Sequence, residues 1–224
     1  MSLSSAEAKA RIDAILDQYR DATSMSGPSV VPSALVSGKL YEAWVLCEVL
    51  DHLRTDEGYT IVLRQGRRVA LKASPGPINR AYAYFELSAS GRPSLELWTD
   101  VEFMSLSHSS RGSPPAGRGD YHELDLVVVP AGMTGRPKHG QVLIGIECKD
   151  TGYQKELLRA ILGVRRELSL FVPTKATGFE RWPRSTVPAN PPSCLLVYCT
   201  DPAVSQFRDA ARFFGIDFLH LPPP

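Results

Sequence analysis

The stretch QVLIGIECK, residues 141–149, reads as an apolar strand that ends in Glu147 and Lys149 with one residue between them. Alternate side chains of a strand share a face. Val142, Ile144, Ile146 and Cys148 therefore form a core stripe, with Cys148 as a packing residue, while Leu143, Gly145, Glu147 and Lys149 point the other way. A second strong strand, HELDLVVVP (122–130), precedes it across the turn-rich AGMTGRPKHG. The same alternation puts Leu124, Leu126 and Val128 on one face and Glu123, Asp125, Val127 and Val129 on the other. If the two strands are neighbours, Asp125 comes to lie beside Glu147 and Lys149.

The rest of the chain surrounds these strands with a mixture of elements. Residues 4–22 carry Ile12, Ile15, Leu16 and Tyr19 at helical spacing, and TSMSGPSVVPS breaks that helix. A second helix is predicted over 37–54. The runs YTIVLR, RVALKA, AYAYFELSA and SLELWTDVEFMSL, separated by QGR, SPGP and SGRP, predict antiparallel hairpins between 59 and 106. SHSSRGSPPAGRG (107–119) reads as a polar, mobile loop. A helix over 153–170, a Pro-rich connection over 173–192, then strand SCLLVYC, helix PAVSQFRDAARFF and strand IDFLHL complete the pattern of an α/β sheet domain. Tyr82, Tyr84, Phe85, Trp98 and Phe103 are expected to pack the sheet rather than stack on bases, and His122 at a strand entry is expected to be structural.

With 43% hydrophobic and 22% charged residues in 224, the chain has the composition of an ordinary soluble globular protein, long enough for one substantial core. No run reaches the roughly 18 apolar residues of a membrane span. The opening MSLSSAEAKARIDAILDQYR lacks a basic start followed by an apolar core, so a cytoplasmic location is expected. Cysteines 47, 148, 194 and 199 form no CxxC and have no histidine at zinc-ligand spacing, which suits free thiols in a reducing compartment. A net charge of +1 neither demands nor excludes nucleic acid, because a basic groove facing an acidic site sums to nearly zero. GRGDYH precedes a strand and lacks the third glycine of a dinucleotide fingerprint, and neither GxSxG nor a P-loop occurs.

Two carboxylates on adjacent strands make a hard-oxygen site of the kind Mg²⁺ prefers. A lysine beside them can orient an attacking water and offset developing negative charge, which together are the parts for metal-assisted phosphodiester hydrolysis. The second predicted helix adds a third acid. On a helical wheel Leu46, Val49, Leu50 and Leu53 form an apolar arc that contains Glu42, whereas Glu48, Asp51 and His52 lie on the other side. An ionised carboxylate on a buried face is costly unless paired or bound to metal. The bland reading of Asp125, Glu147 and Lys149 is a solvated salt-bridge cluster at a sheet edge.

A helix with Glu42, a strand with Asp125, a strand ending in Glu147-x-Lys149 and a further helix together resemble the PD-(D/E)xK nuclease superfamily, the fold of many restriction endonucleases and Holliday-junction resolvases. The resemblance covers residues 37 to about 170 in detail and the closing strand, helix and strand more loosely. It implies a restriction endonuclease-like mixed central sheet flanked by helices. Residues 1–32 would be an N-terminal helix and linker, and residues 33–224 the nuclease domain with an extended strand insertion at 59–106. It also implies Mg²⁺-dependent DNA cleavage, with Mn²⁺ able to substitute. Asp125 and Glu147 would hold metal, Glu42 would be an accessory ligand, and Lys149 would serve the nucleophilic water.

Leu124 stands where many relatives carry proline, and 59–106 is long for its position. Lys155, Arg159 and Arg166, opposite the apolar arc of the following helix, are candidate phosphate contacts or simply a solvated face. Gln154 falls where some relatives carry an active-site Gln or Lys. The basic loops RQGRRVALK and TGRPKHG, with Arg80, offer further contacts or ordinary surface. DNA is the expected partner with RNA left open, and a homodimer or partner proteins would supply specificity in restriction, defence or repair. The alternative is a nuclease fold without catalysis that binds nucleic acid or a partner protein.

Overall fold

A computed structural model describes residues 4–20, 30–31, 37–65, 69, 71, 74–112 and 115–224. Ser4 opens the first helix, α1 (Ser5–Asp17), with a reciprocal cap: its hydroxyl accepts from the Glu7 amide, and the Glu7 carboxylate accepts from the Ser4 amide at 2.8 Å. The buried stripe Ala8, Ile12 and Leu16 lays α1 against α2 (Ser37–Thr55), which presents Leu46, Val49, Leu50 and Leu53 to the same core. The helix predicted over 37–54 is thus present. No helix among the described residues is long and apolar enough to cross a membrane.

Seven strands form one mixed sheet. Residues 59–106 supply three of them consecutively, β1 (Thr60–Arg64), β2 (Tyr84–Ser88) and β3 (Leu95–Met104), and β3 pairs antiparallel with β4 (Tyr121–Pro130). The predicted run 68–73 lies mostly outside the described residues. β4 pairs antiparallel with β5 (Ile144–Lys149), and β5 and β8 (Cys194–Cys199) run parallel, as do β8 and β9 (Ile216–His220). The sheet order is β1-β2-β3-β4-β5-β8-β9. Parallel pairs need crossovers; α4 (Lys155–Leu168) lies in the first, and a 3₁₀ turn with the short α5 (Arg208–Arg212) forms the second. The polar 107–119 segment carries structure at both ends, the short helix α3 (Leu106–Ser110) and a 3₁₀ turn at Arg118–Asp120.

Helices cover both faces. One core joins α1 and α2 to Leu126, Val128, Ile144, Ile146 and Leu196. The other joins Ile161 and Leu168 of α4 and Ala211 of α5 to Val127, Val129, Leu195, Val197 and Phe218. Each fully buried Leu, Ile or Phe contributes roughly 1.5–3 kcal/mol relative to exposure, so the sheet is held as a sandwich rather than by its ladder alone. Tyr84, Phe85, Trp98 and Phe103 are buried as expected, but Tyr82 is 45% exposed, because it sits in a turn outside the strand.

The expected alternation breaks at two aspartates. Leu95 and Leu97 face the α1/α2 core, whereas Trp98, Val101 and Phe103 belong to the α4 core. On β4, Leu124 joins Val127 and Val129 in the α4 core, while Leu126 and Val128 face α2, so Leu124 does not share a face with its two neighbours in the pattern. Both changes of face fall where Asp100 lies across from Asp125. The ladder pairs Thr99 with Leu126 and Val101 with Leu124 and passes over the position between. Asp100 has φ 52°, in the left-handed region that aspartate tolerates better than most residues. Its carbonyl accepts from the Gly76 amide at 3.1 Å instead of completing the rung. Val142 is likewise in the α4 core, because residues 139–141 form a 3₁₀ turn and β5 begins only at Ile144.

The Pro-rich stretch is not a bare connection. β6 (Leu170–Ala176) and β7 (Thr186–Asn190) form a separate two-stranded ribbon, in which Pro173 and Pro188 are tolerated because each strand keeps a free edge. Glu57, just after α2, anchors the ribbon's turn: its buried carboxylate accepts the amides of Glu180 (3.0 Å), Arg181 and Trp182 (2.8 Å), and pairs with Arg92 at 2.8 Å.

Gly145 is required by the switched position of Leu124. A Cβ there would meet Leu124 Cδ1 at 2.9 Å and Leu195 Cδ1 at 3.4 Å, in a region where neither leucine has free space. Gly145→Ala is expected to lower stability by about 1–3 kcal/mol through overpacking. Chemical denaturation checks this, and an unchanged midpoint would mean that Leu124 does not lean across β5.

Candidate metal centre

The site lies where the sheet forks. β4 and β5 pair from Val128–Ile144 to Leu126–Ile146 and then separate, β4 continuing beside β3 and β5 beside β8. At the fork the Asp125 carboxylate takes over from the ladder, accepting the Cys148 amide at 2.6 Å. One register step beyond Leu126–Ile146 sets Asp125 across from Glu147, so the two strands are neighbours, as the sequence required for a joint site.

Three acids converge there. Glu42, on the buried side of α2, Asp100, at the left-handed turn of β3, and Asp125 each offer a carboxylate oxygen, and these oxygens all lie within 4.8 Å of one another. Such a set of hard donors from three separate elements can hold a metal ion. Glu147 is not one of the three: its carboxylate accepts from Lys149 Nζ at 2.6 Å, and only about a tenth of its side chain is exposed. Lys39, one turn before Glu42, donates to Glu42 Oε2 at 2.7 Å and to Asp100 Oδ1 at 2.5 Å.

Burial dominates the electrostatics. It pushes Glu42 up to about 7, an effect that Lys39 opposes and the neighbouring Asp125 reinforces. Asp125 and Glu147 are also raised, first by burial; the Cys148 amide and two lysines restrain Asp125, and Lys149 restrains Glu147. Burial alone would lower both lysines, but the carboxylates they touch outweigh it and both are raised. Among the described residues, Lys39 and Lys149 are the ammonium groups bonded to these acids, and a cluster of carboxylates of this kind favours added positive charge.

Sequence reasoning named Glu42, Asp125, Glu147 and Lys149, and all four sit at or beside the fork. It missed Asp100 and Lys39. Asp100 had no signal: in LELWTDVEF the apolar positions 95, 97, 101 and 103 fit one strict alternation and only Trp98 departs from it, so the change of face at the aspartate cannot be read from the sequence. Lys39 had none beyond its spacing of three from Glu42. Lys155, Arg159 and Arg166 lie exposed on α4, whereas Arg165 between them is buried and bonds to Ser193 and Ser169. Gln154 precedes α4, exposed and without a side-chain cap bond. His122 rests 5.8 Å from the Phe103 ring. Arg80 is engaged by Glu96 at 3.0 Å, and residues 64–72 lie largely outside the described residues. Cys47, Cys148, Cys194 and Cys199 are free thiols, with Cys148 packed against the α2-side core.

Comparison with family models, with curated proteins and with solved structures finds no match.

Because Glu42 titrates above its ordinary range when folded, the folded state binds more protons than the unfolded one in the interval between. Metal-free stability therefore falls as pH rises from the ordinary carboxylate range towards about 7 and levels off beyond it. Glu42→Gln, which cannot ionise, should flatten this slope and be more stable than wild type above neutrality by roughly 1–3 kcal/mol. Thermal melts in EDTA across that range provide the check. An undiminished slope in the variant would contradict a buried charge at Glu42.

Proposed function

We propose that the chain is a Mg²⁺-dependent nuclease that hydrolyses phosphodiester bonds in DNA, with Mn²⁺ able to substitute. The observation that carries this reading is the meeting of the Glu42, Asp100 and Asp125 carboxylates within 4.8 Å, beside the Glu147–Lys149 pair at the fork of β4 and β5. The donor set is all carboxylate oxygen, which suits Mg²⁺ and not a soft metal. When bound there, the ion would supply Lewis-acid polarisation and charge neutralisation to a phosphodiester.

The chain's own groups do the rest. Glu42, Asp100 and Asp125 would hold the cation, and the Cys148 amide restrains the Asp125 carboxylate through its hydrogen bond. Glu147 holds Lys149, whose side chain is 30% exposed and whose ammonium stands ready to orient the attacking water and to offset charge on the phosphate. Lys155, Arg159 and Arg166, exposed on α4, are proposed to touch the DNA backbone. The restriction endonuclease-like identity of the fold belongs to this reading; the order of three antiparallel strands, a helix and a parallel strand, with acids at the fork, supports it.

A second reading keeps the fold but not the catalysis, leaving a module that binds nucleic acid or a partner protein. It is favoured by the lysine contacts, which already satisfy Glu42, Asp100 and Glu147 without a metal. A cleavage panel of duplex, single-stranded, branched and methylated DNA, plus RNA, with Mg²⁺ and with EDTA, separates the two. Under the nuclease reading, Asp125→Asn and Asp100→Asn each lose about 100-fold or more in rate, and Lys149→Met loses rate while keeping Mn²⁺ binding. Circular dichroism should show each variant folded. Wild-type protein that cleaves nothing in the panel, or aspartate variants within twofold of wild type, would remove the nuclease assignment.

A further inference from the structure

We propose that Lys39 is a tethered stand-in for the divalent ion: its ammonium occupies the cation position in the metal-free protein and must be displaced before metal binds. This deepens the metal-site reading above and rests on it. Three carboxylate oxygens within 4.8 Å of one another repel unless a positive charge lies among them. Lys39 supplies that charge, reaching Glu42 Oε2 at 2.7 Å and Asp100 Oδ1 at 2.5 Å, and so engages two of the three acids at once. The contact is not a surface pair of the kind that contributes little. The side chains of Lys39, Glu42 and Asp100 are 20%, 11% and 4% exposed, and Asp100 is 61 residues away in sequence, so the ammonium ties α2 to β3.

Lys39 and an incoming ion therefore compete for the same oxygens. A cation coordinated by Glu42 and Asp100 would sit within a few ångströms of the ammonium, where like charges repel strongly in a partly buried setting. Lys149 does not compete in this way, because its hydrogen bond is to Glu147, outside the triangle. Lys39 thus has two opposite effects: it stabilises the protein without metal and weakens the protein's affinity for metal. A lysine that merely packed against α2 would do only the first.

The test uses the full chain as wild type, Lys39→Met and Lys39→Gln, titrated with Mn²⁺ by calorimetry at mildly alkaline pH and melted in EDTA or in saturating Mn²⁺. Both variants should melt below wild type in EDTA, bind Mn²⁺ at least about tenfold more tightly, and regain the lost melting temperature when the ion is present. Lys39→Gln retains hydrogen bonding without charge, so it carries the test if the methionine variant does not fold. Asp125→Asn serves as the control for the site. If wild type binds Mn²⁺ and Asp125→Asn does not, but both Lys39 variants bind no more tightly than wild type, the stand-in role is overturned while the metal site stands. If neither wild type nor any Lys39 variant binds Mn²⁺, both are overturned.

Discussion

Asp100 and Asp125 lie across from each other in the middle of the sheet, at the one position that the β3–β4 ladder passes over. Two carboxylates placed so deep must find positive charge or amide donors, since an isolated buried ion costs more than a fold of this size can absorb. The rest of the local structure follows. Lys39 comes from α2 to Asp100, the Cys148 amide comes from β5 to Asp125, and Glu42 enters because Lys39 is its helical neighbour. Both strands change face at this point, which carries Leu124 over to the α4 core and makes Gly145 obligatory beneath it. A sheet that only needed to be stable would put a cross-strand apolar pair here.

The arrangement is held rigidly by large cores on both sides. α2 is fixed by α1 and by the sheet, so Glu42 is presented by a helix that cannot retreat, while Asp100 and Asp125 belong to central strands. Carboxylates mounted on three packed elements keep their geometry when their charges repel, which is the preorganisation that a cation site requires. The raised titration of Glu42, Asp125 and Glu147 comes first from their burial, and the neighbouring carboxylates add to it.

Much of this was legible in the sequence, for identifiable reasons. Long apolar runs marked β4, β5 and β8, and the helical wheel of α2 singled out Glu42 because one acid stood among leucines and valines. Asp125 and Glu147-x-Lys149 followed from strand adjacency. What was hidden depends on one backbone angle. Asp100 at φ 52° shifts the phase of β3, and its partner strand shifts with it, so a strict period of two misplaced Leu124 and left Asp100 unremarked. The ribbon of β6 and β7 was obscured by its prolines, which end central strands but not free edges. Lys39 reads as an ordinary first-turn lysine until β3 is known to lie beside it.

The central claim is that Glu42, Asp100 and Asp125 are the ligands of a divalent cation. A crystal of the wild-type protein soaked in Mn²⁺ and measured for anomalous scattering tests it most directly. A single peak should appear among the three carboxylates, with the Lys39 ammonium moved off Glu42 and Asp100. Density coordinated by Glu147 without Asp100, or no peak at the fork while Lys39 keeps both contacts, would contradict it.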